Sequence, residues 1–221
     1  LDVKKVFLKT LDSYIKNIEN YKLHKLGKTI IISDDARNIK ASKYINKVSL
    51  AITSPPYINA FDYVRSLRLE NAWLGNYGDS SIIQLKEKQI GTETIESKIY
   101  SVLQESGNKD LDLIVTNISK VDKKRAFVVL KFFMDMKQSI IEVKKLLKAN
   151  SHYVIVMGES TIRNIDVPSH QILIDIARNN GFELVNLFSY VIKNRYLRIP
   201  RSGKGGLIKK DWVIDLVKIN G

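Results

Sequence analysis

Three short apolar runs govern what this chain can fold into. Thr29-Ile30-Ile31-Ile32, Val48-Ser49-Leu50-Ala51-Ile52 and Tyr153-Val154-Ile155-Val156-Met157 are rich in β-branched residues, too brief for helices, and each stops at polar or proline residues. They read as buried strands. Ahead of the third run, Val129, Phe133, Met136, Ile140, Val143 and Leu147 recur at three- and four-residue steps, the stripe of a helix facing a core, closed by a turn at Ala149-Asn150-Ser151. Pro168 suits the first turn of a further helix that carries Ile172, Leu173, Ile176 and Ala177 and stops at Asn179-Asn180-Gly181. Leu184 to Ile192 and Trp212 to Val217 read as a terminal hairpin with a long loop. Helices alternating with strands predict an α/β fold whose sheet is mostly parallel, with a C-terminal antiparallel hairpin placing one antiparallel strand near an edge.

The remaining segments are helical or weakly patterned. Val3, Val6, Phe7, Leu11, Tyr14, Ile15 and Ile18 predict an amphipathic helix, and residues 61 to 74 predict another, with Trp73 packing it against the core. Residues 76 to 125 have little period and read as a mostly helical insertion in one domain spanning 1–221. The 36 Lys and Arg against 23 Asp and Glu leave a net charge of +13, which points to a polyanionic partner. No apolar run approaches the ~18 residues of a membrane span and no leader pattern is present, so the expectation is a soluble, cytoplasmic, nucleoid-associated protein without a membrane partner. Without cysteine, and with His24, His152 and His170 far apart, the chain offers no metal-ligand spacing.

In an open α/β sheet, ligands gather beyond the carboxyl ends of the strands. The positions to inspect are therefore Asp34-Asp35, Thr53-Ser54-Pro55-Pro56-Tyr57 and Gly158-Glu159-Ser160. Proline cannot donate to a ladder, so Pro55 and Pro56 end their strand. They also freeze the backbone, leave the Pro55 carbonyl without a regular partner and hold an aromatic face beside it. Such a device suits methyl transfer to an exocyclic amine, whose lone pair is delocalised into a base ring. Two acceptors, the Ser54 hydroxyl and the Pro55 carbonyl, would draw on the amine protons and turn its lone pair towards the methyl donor. Tyr57 would stack on the extruded base, returning roughly 1–3 kcal/mol of the unstacking cost.

The run TSPPYINAFDYVRSLRLENAWLG, from Thr53 to Gly75, resembles the catalytic motif and following helix of S-adenosylmethionine-dependent amino DNA methyltransferases, which modify the 4-amino group of cytosine or the 6-amino group of adenine. The segment Leu146 to Ser160 and the ending RYLRIPRSGKGGLIKKDWVIDLVK are similar to that family's fifth strand and final hairpin. The resemblance implies a Rossmann-like class I sheet and catalytic roles for Ser54, Pro55, Pro56 and Tyr57. It also implies that Asp35, Ala36 and Thr53 contact S-adenosylmethionine, and that Asn59, Arg65, Gly158 and Ser160 lie near the target. Between residues 192 and 210 there are seven basic residues and no acid. Arg195, Tyr196, Arg198, Arg201 and Lys204 of that loop are accordingly expected on the DNA backbone.

The family's glycine-rich motif, which cradles the amino-acid part of the cofactor, is absent from these 221 residues, and so are the two strands that would carry it and the ribose-binding acid. Ser202-Gly203-Lys204-Gly205-Gly206 lacks the spacing of a phosphate loop. The expectation is a partial methyltransferase catalytic domain whose cofactor loop lies on a missing N-terminal segment or a second polypeptide. Thr53-Ser54, where Asp or Asn would suit RNA or protein glutamine, tilts the substrate towards DNA cytosine. The alternatives are an RNA or protein-glutamine methyltransferase, or a non-catalytic nucleic-acid-binding subunit.

Overall fold

The computed structural model describes residues 2–24, 27–58, 62–75, 82–96, 103–193 and 208–219. These fall into two compact units, Leu1–Ile32 and Ser33–Gly221. The first unit is built on α1 (Val3–Lys22), which Asp2 caps by accepting the Lys5 N–H at 3.1 Å. The predicted stripe is present on α1, and Val3, Phe7 and Tyr14 along it are exposed. Thr29–Ile32 is not a strand. A β-branched run becomes a strand only where a neighbour completes its ladder. This one pairs with nothing among the described residues, and Ile31 is 91% exposed.

The second unit begins with a short 3₁₀ turn (Ser42–Tyr44) and β1 (Val48–Thr53), then α2 (Tyr63–Ser66), α3 (Arg68–Trp73), α4 (Ile82–Lys88), α5 (Lys109–Ser119) and α6 (Lys123–Leu146). It continues through β2 (Leu147–Gly158), a small hairpin of β3 (Ser160–Ile162) and β4 (Ile165–Val167), α7 (Ser169–Arg178), β5 (Phe182–Val191) and β6 (Lys210–Lys218). The main sheet has the order β1-β2-β6-β5; β1 and β2 run parallel, and β6 is antiparallel to both its neighbours. The antiparallel strand is thus next to an edge, as expected, but because it lies between β2 and β5 two of the three ladders are antiparallel, and the sheet is mixed rather than mostly parallel. The β3–β4 hairpin was not legible, because three-residue strands carry too few positions to establish a period.

The residues of the expected Ala149-Asn150-Ser151 turn lie inside β2. There the register with β1 jumps from Val48↔Leu147 to Leu50↔His152, and the extra residues bulge out with Asn150 at φ 58°. Beyond the bulge Tyr153, Ile155 and Met157 alternate inward and join Ile214 and Leu216 of β6, Phe132, Phe133, Met136 and Ile140 of α6, and Ile172 and Leu173 of α7 in one apolar core. Pro168 occupies the N-cap of α7 rather than its first turn. On the opposite face Leu50, Ile52 and Phe188 are exposed.

Trp73 departs from expectation, being 93% exposed. Val64, nine residues earlier, is the buried residue of α2. At about 100° per residue, nine residues place Trp73 on the opposite side of the helical path. The break at Leu67, which closes α2 and opens α3, does not bring it back. No helix among the described residues is long and apolar enough to cross a membrane.

Candidate active site

Because β1 and β2 are parallel, Thr53 and Gly158 end at the same edge of the sheet, and the segments leaving the two strands come together there. Pro55 and Ile58 are buried and anchor the turn, whereas Ser54 stays exposed and Pro56 and Tyr57 are half-buried. The Pro55 carbonyl accepts no hydrogen bond among the described residues. The Tyr57 ring lies against Gly158 so closely that a Cβ at that glycine would stand 2.8 Å from Cε2 and 3.1 Å from Cδ2 of the ring. The Tyr57 hydroxyl donates to Asp211 Oδ1 at 2.7 Å. Burial first, then that bond and the Asp211 charge, push the phenol pKa well above its usual range, and a hydrogen bond with Ser54 offsets part of the rise.

Behind Pro56 opens a cleft of about 440 Å³ lined by Asp34, Asp35, Ala36, Arg37, Pro56, Tyr63, Leu85, Lys88, Gln89 and Ile90. One wall is acidic and another is apolar. Asp35 is tightly engaged: Arg37 donates from its backbone N–H and Nε to Oδ1 at 2.9 and 3.0 Å and from Nη2 to Oδ2 at 2.9 Å. The same guanidinium reaches the Lys88 carbonyl at 2.7 Å and Asp135 Oδ2 at 3.3 Å, tying the loop to α4 and α6. The Arg37 hydrogen bond holds the Asp35 carboxyl below its ordinary range against the opposing effect of burial. Asp34, exposed in the same cleft, has no hydrogen-bond or ion-pair partner among the described residues.

The structure therefore brings together Ser54, Pro55, Tyr57 and Gly158 on one side of the motif and Asp35, Ala36 and Pro56 on the other. Thr53 is paired with Ile155 in the sheet and does not line the cleft. Ser160 is buried at the start of β3 opposite Val167, so its side chain is enclosed by the small hairpin and not presented as a surface contact. Arg65 is exposed on α2, where its N–H bonds the Asp62 cap at 2.9 Å. Asn59, Arg195, Tyr196, Arg198, Arg201 and Lys204 lie outside the described residues. No cluster of metal-ligating side chains occurs among the described residues.

Two neighbours of the site escaped the sequence reading. Asp211 is a single acid at the start of a strand, with nothing local to distinguish it. Trp212 donates its indole N–H to Glu159 at 2.7 Å and stacks on His170, ring centroids 4.1 Å apart and 9° from parallel. Burial lowers the His170 pKa, opposed by the charge of Glu159, and its Nδ1 has no partner among the described residues.

No family model matches the chain. It is 29% identical over 203 residues to the type II methyltransferase M.MvaI of Kocuria varians, covering 87% of this chain and 43% of that protein. It is 30% identical over 148 residues to M.AvaI of Nostoc sp., covering 60% and 30%, and 31% identical over 118 residues to M.BsoBI of Geobacillus stearothermophilus, covering 49% and 23%. The chain thus spans less than half the length of these curated relatives. Among solved structures, TTHA0409 of Thermus thermophilus, which carries the name of a DNA modification methylase, aligns over 85% of this chain and 51% of its own with 17% identity and a TM-score of 0.42. Its form complexed with S-adenosyl-L-methionine aligns with a TM-score of 0.41 and 16% identity. In sequence, this chain is similar along most of its length to part of the type II DNA methyltransferases.

Proposed function

We propose that this chain is the target-handling part of a DNA methyltransferase that moves a methyl group from S-adenosylmethionine to the exocyclic amine of an extruded base, cytosine before adenine. The observation that carries the reading is the Ser54-Pro55-Pro56-Tyr57 turn at the shared end of two parallel strands, with Tyr57 fixed over Gly158 and Pro56 forming a wall of the cleft.

The nucleoside end of S-adenosylmethionine suits that lining. Asp34 has acceptors to spare for the adenine amine, and Pro56, Leu85 and Ile90 offer apolar surface to the ring. Asp35, with both oxygens already bonded to Arg37, is better cast as the support of this wall than as the contact itself. When bound, the cofactor supplies the methyl electrophile. The Ser54 oxygen and the Pro55 carbonyl would accept hydrogen bonds from the two amine N–H groups, leaving the nitrogen lone pair turned towards the cleft. Tyr57 offers its free face to the base, and its anchored hydroxyl means little ordering is left to be done on binding. The glycine-rich loop that holds the amino-acid end of the cofactor belongs, in this reading, to a preceding segment or a second polypeptide. The basic loop with Arg195, Arg198, Arg201 and Lys204 contacts DNA phosphates.

Labelled S-adenosylmethionine supplied with double-stranded DNA, tRNA and protein extract in parallel tests the reading, with and without the preceding portion and with Tyr57→Ala as control. Label entering DNA only when both portions are present, and lost with Tyr57→Ala, is the expected result. Label in tRNA or protein would redirect the substrate, and none under any condition would leave a binding subunit. Micromolar binding of S-adenosylmethionine by the isolated chain in a calorimeter would overturn the assignment of its amino-acid end to another segment.

A further inference from the structure

Asp211 opens β6 directly opposite Gly158 of β2 on one side and Tyr190 of β5 on the other. The register puts one carboxylate between two tyrosines at the end of the sheet where Tyr57 lies. Tyr57 donates to it at 2.7 Å. Tyr190 stands in register with the same carboxylate, and burial and the charge of Asp211 raise its phenol pKa. An ionised carboxylate only accepts. The Tyr57 proton is therefore committed to Asp211, and the phenol oxygen is left as an acceptor.

We infer that Asp211 is a positioning residue for the proposed reaction: its carboxylate holds the Tyr57 hydroxyl, so that the Tyr57 ring stays seated on Gly158 as the platform for the base. Asp211 itself touches neither base nor cofactor. The inference rests on the reading of Tyr57 as the platform for an extruded base. It adds that the platform is aimed by an acid more than 150 residues further along the chain, as the sequence separation of 154 shows. Removal of Asp211 would release the phenol from the sheet and let the ring leave Gly158, so that the platform is no longer in place for the base.

The test compares binding of a short DNA duplex carrying one unpaired cytosine with binding of the same duplex fully paired, using the full chain and its Tyr57→Ala, Tyr57→Phe, Asp211→Ala, Asp211→Asn and Tyr57→Phe/Asp211→Ala variants. Asp211→Ala should lower the preference for the unpaired base by about ten-fold, as expected for loss of a hydrogen bond to a charged group. Asp211→Asn, which keeps an acceptor oxygen of the same shape, should recover most of it. In Tyr57→Phe, where no phenol remains to be aimed, adding Asp211→Ala should change nothing further. The ring-carbon resonance of Tyr57 bearing the hydroxyl, read by NMR with ¹³C-labelled tyrosine, should shift in Asp211→Ala and stay close to wild type in Asp211→Asn. If Tyr57→Ala retains the preference, the reading of Tyr57 fails and the inference falls with it. If Tyr57→Ala abolishes the preference and Asp211→Ala leaves it intact, or if Asp211→Ala costs as much in Tyr57→Phe as in wild type, the inference alone is overturned.

Discussion

Gly158→Ala is the perturbation that most directly probes how Tyr57 is held. A Cβ there would stand 2.6 Å from Ile208 Cγ2, 2.8 Å from Tyr57 Cε2 and 3.1 Å from Tyr57 Cδ2, where carbon atoms settle at about 3.5–4.0 Å. Rotation of Ile208 can clear the first contact. The ring contact is harder to relieve, because Tyr57 would have to retreat by about 0.7 Å to reach 3.5 Å, while its hydroxyl is bonded to Asp211 at 2.7 Å. Overpacking of this kind costs about 1–3 kcal/mol. Against it stands the smaller conformational freedom of alanine in the unfolded chain, about 0.4–1 kcal/mol, available because Gly158 is not in the left-handed region. The clash wins, and a net loss of about 1–2 kcal/mol is expected. Urea unfolding followed by tryptophan fluorescence should show a lower midpoint at unchanged slope. In the background of Tyr57→Ala the same substitution should be neutral or mildly stabilising, since the ring is gone. Equal destabilisation with and without the Tyr57 ring would refute the argument, as would no effect in either background.

Other parts of the molecule carry three more tests. Asp122 caps α6 by accepting the Arg125 N–H at 3.0 Å and receives Arg163 at 2.9 and 2.6 Å, so Asp122→Ala should cost about 2 kcal/mol in the same unfolding assay, with Asp122→Asn costing less. Burial raises the Asp122 pKa but those bonds outweigh it, leaving it below 3.8 in the folded chain. Its contribution is therefore complete above the unfolded value and lost as pH falls through the folded one, and acid titrations should show a shallower loss of stability below about pH 4 in Asp122→Asn. Gly181, at φ 84° after α7, should lose about 1 kcal/mol on replacement by alanine, read as a lower melting temperature. Arg198→Ala and Arg201→Ala should each weaken DNA binding and reduce the slope of log affinity against log salt by about 0.9, if each meets one phosphate; unchanged slopes would remove them from the interface.

The legible parts of the fold are those where a local period is reinforced by tertiary packing. Val129 to Leu147 and Tyr153 to Met157 were readable because a helix stripe and an alternating strand each face the same core. Thr29–Ile32 misled for the converse reason: its composition is that of a strand, but composition cannot supply a neighbour. Trp73 misled because bulk alone does not say which side of a helix a residue occupies. In the site, Ser54 to Tyr57 and Gly158 were legible because prolines and strand ends fix the backbone locally. Asp211 and Arg37 were not, since their roles come from register and from contacts of Arg37 with Asp135 and the Lys88 carbonyl that only the folded chain creates.

The two sides of the Ser54–Tyr57 turn are held by different forces, and this separates what each can tolerate. Towards the sheet, Tyr57 is fixed by a buried proline turn, a glycine without room for a methyl group and a hydrogen bond to Asp211. These constraints are steric and short-range, and salt does little to them. Towards the cleft, the loop carrying Asp34 and Asp35 is held by Arg37, which gathers Asp35, Asp135 and the Lys88 carbonyl from three parts of the chain. That wall depends on one guanidinium, whose planar fork is what lets it serve several acceptors at once, so lysine at position 37 could not replace it. A change at Asp211 or Gly158 should therefore shift Tyr57 without opening the cleft. A change at Arg37 should release Asp35, loosen the α4 side of the cleft and leave Tyr57 seated. The shared element is Pro56, which lines the cleft while its neighbour Tyr57 faces the sheet.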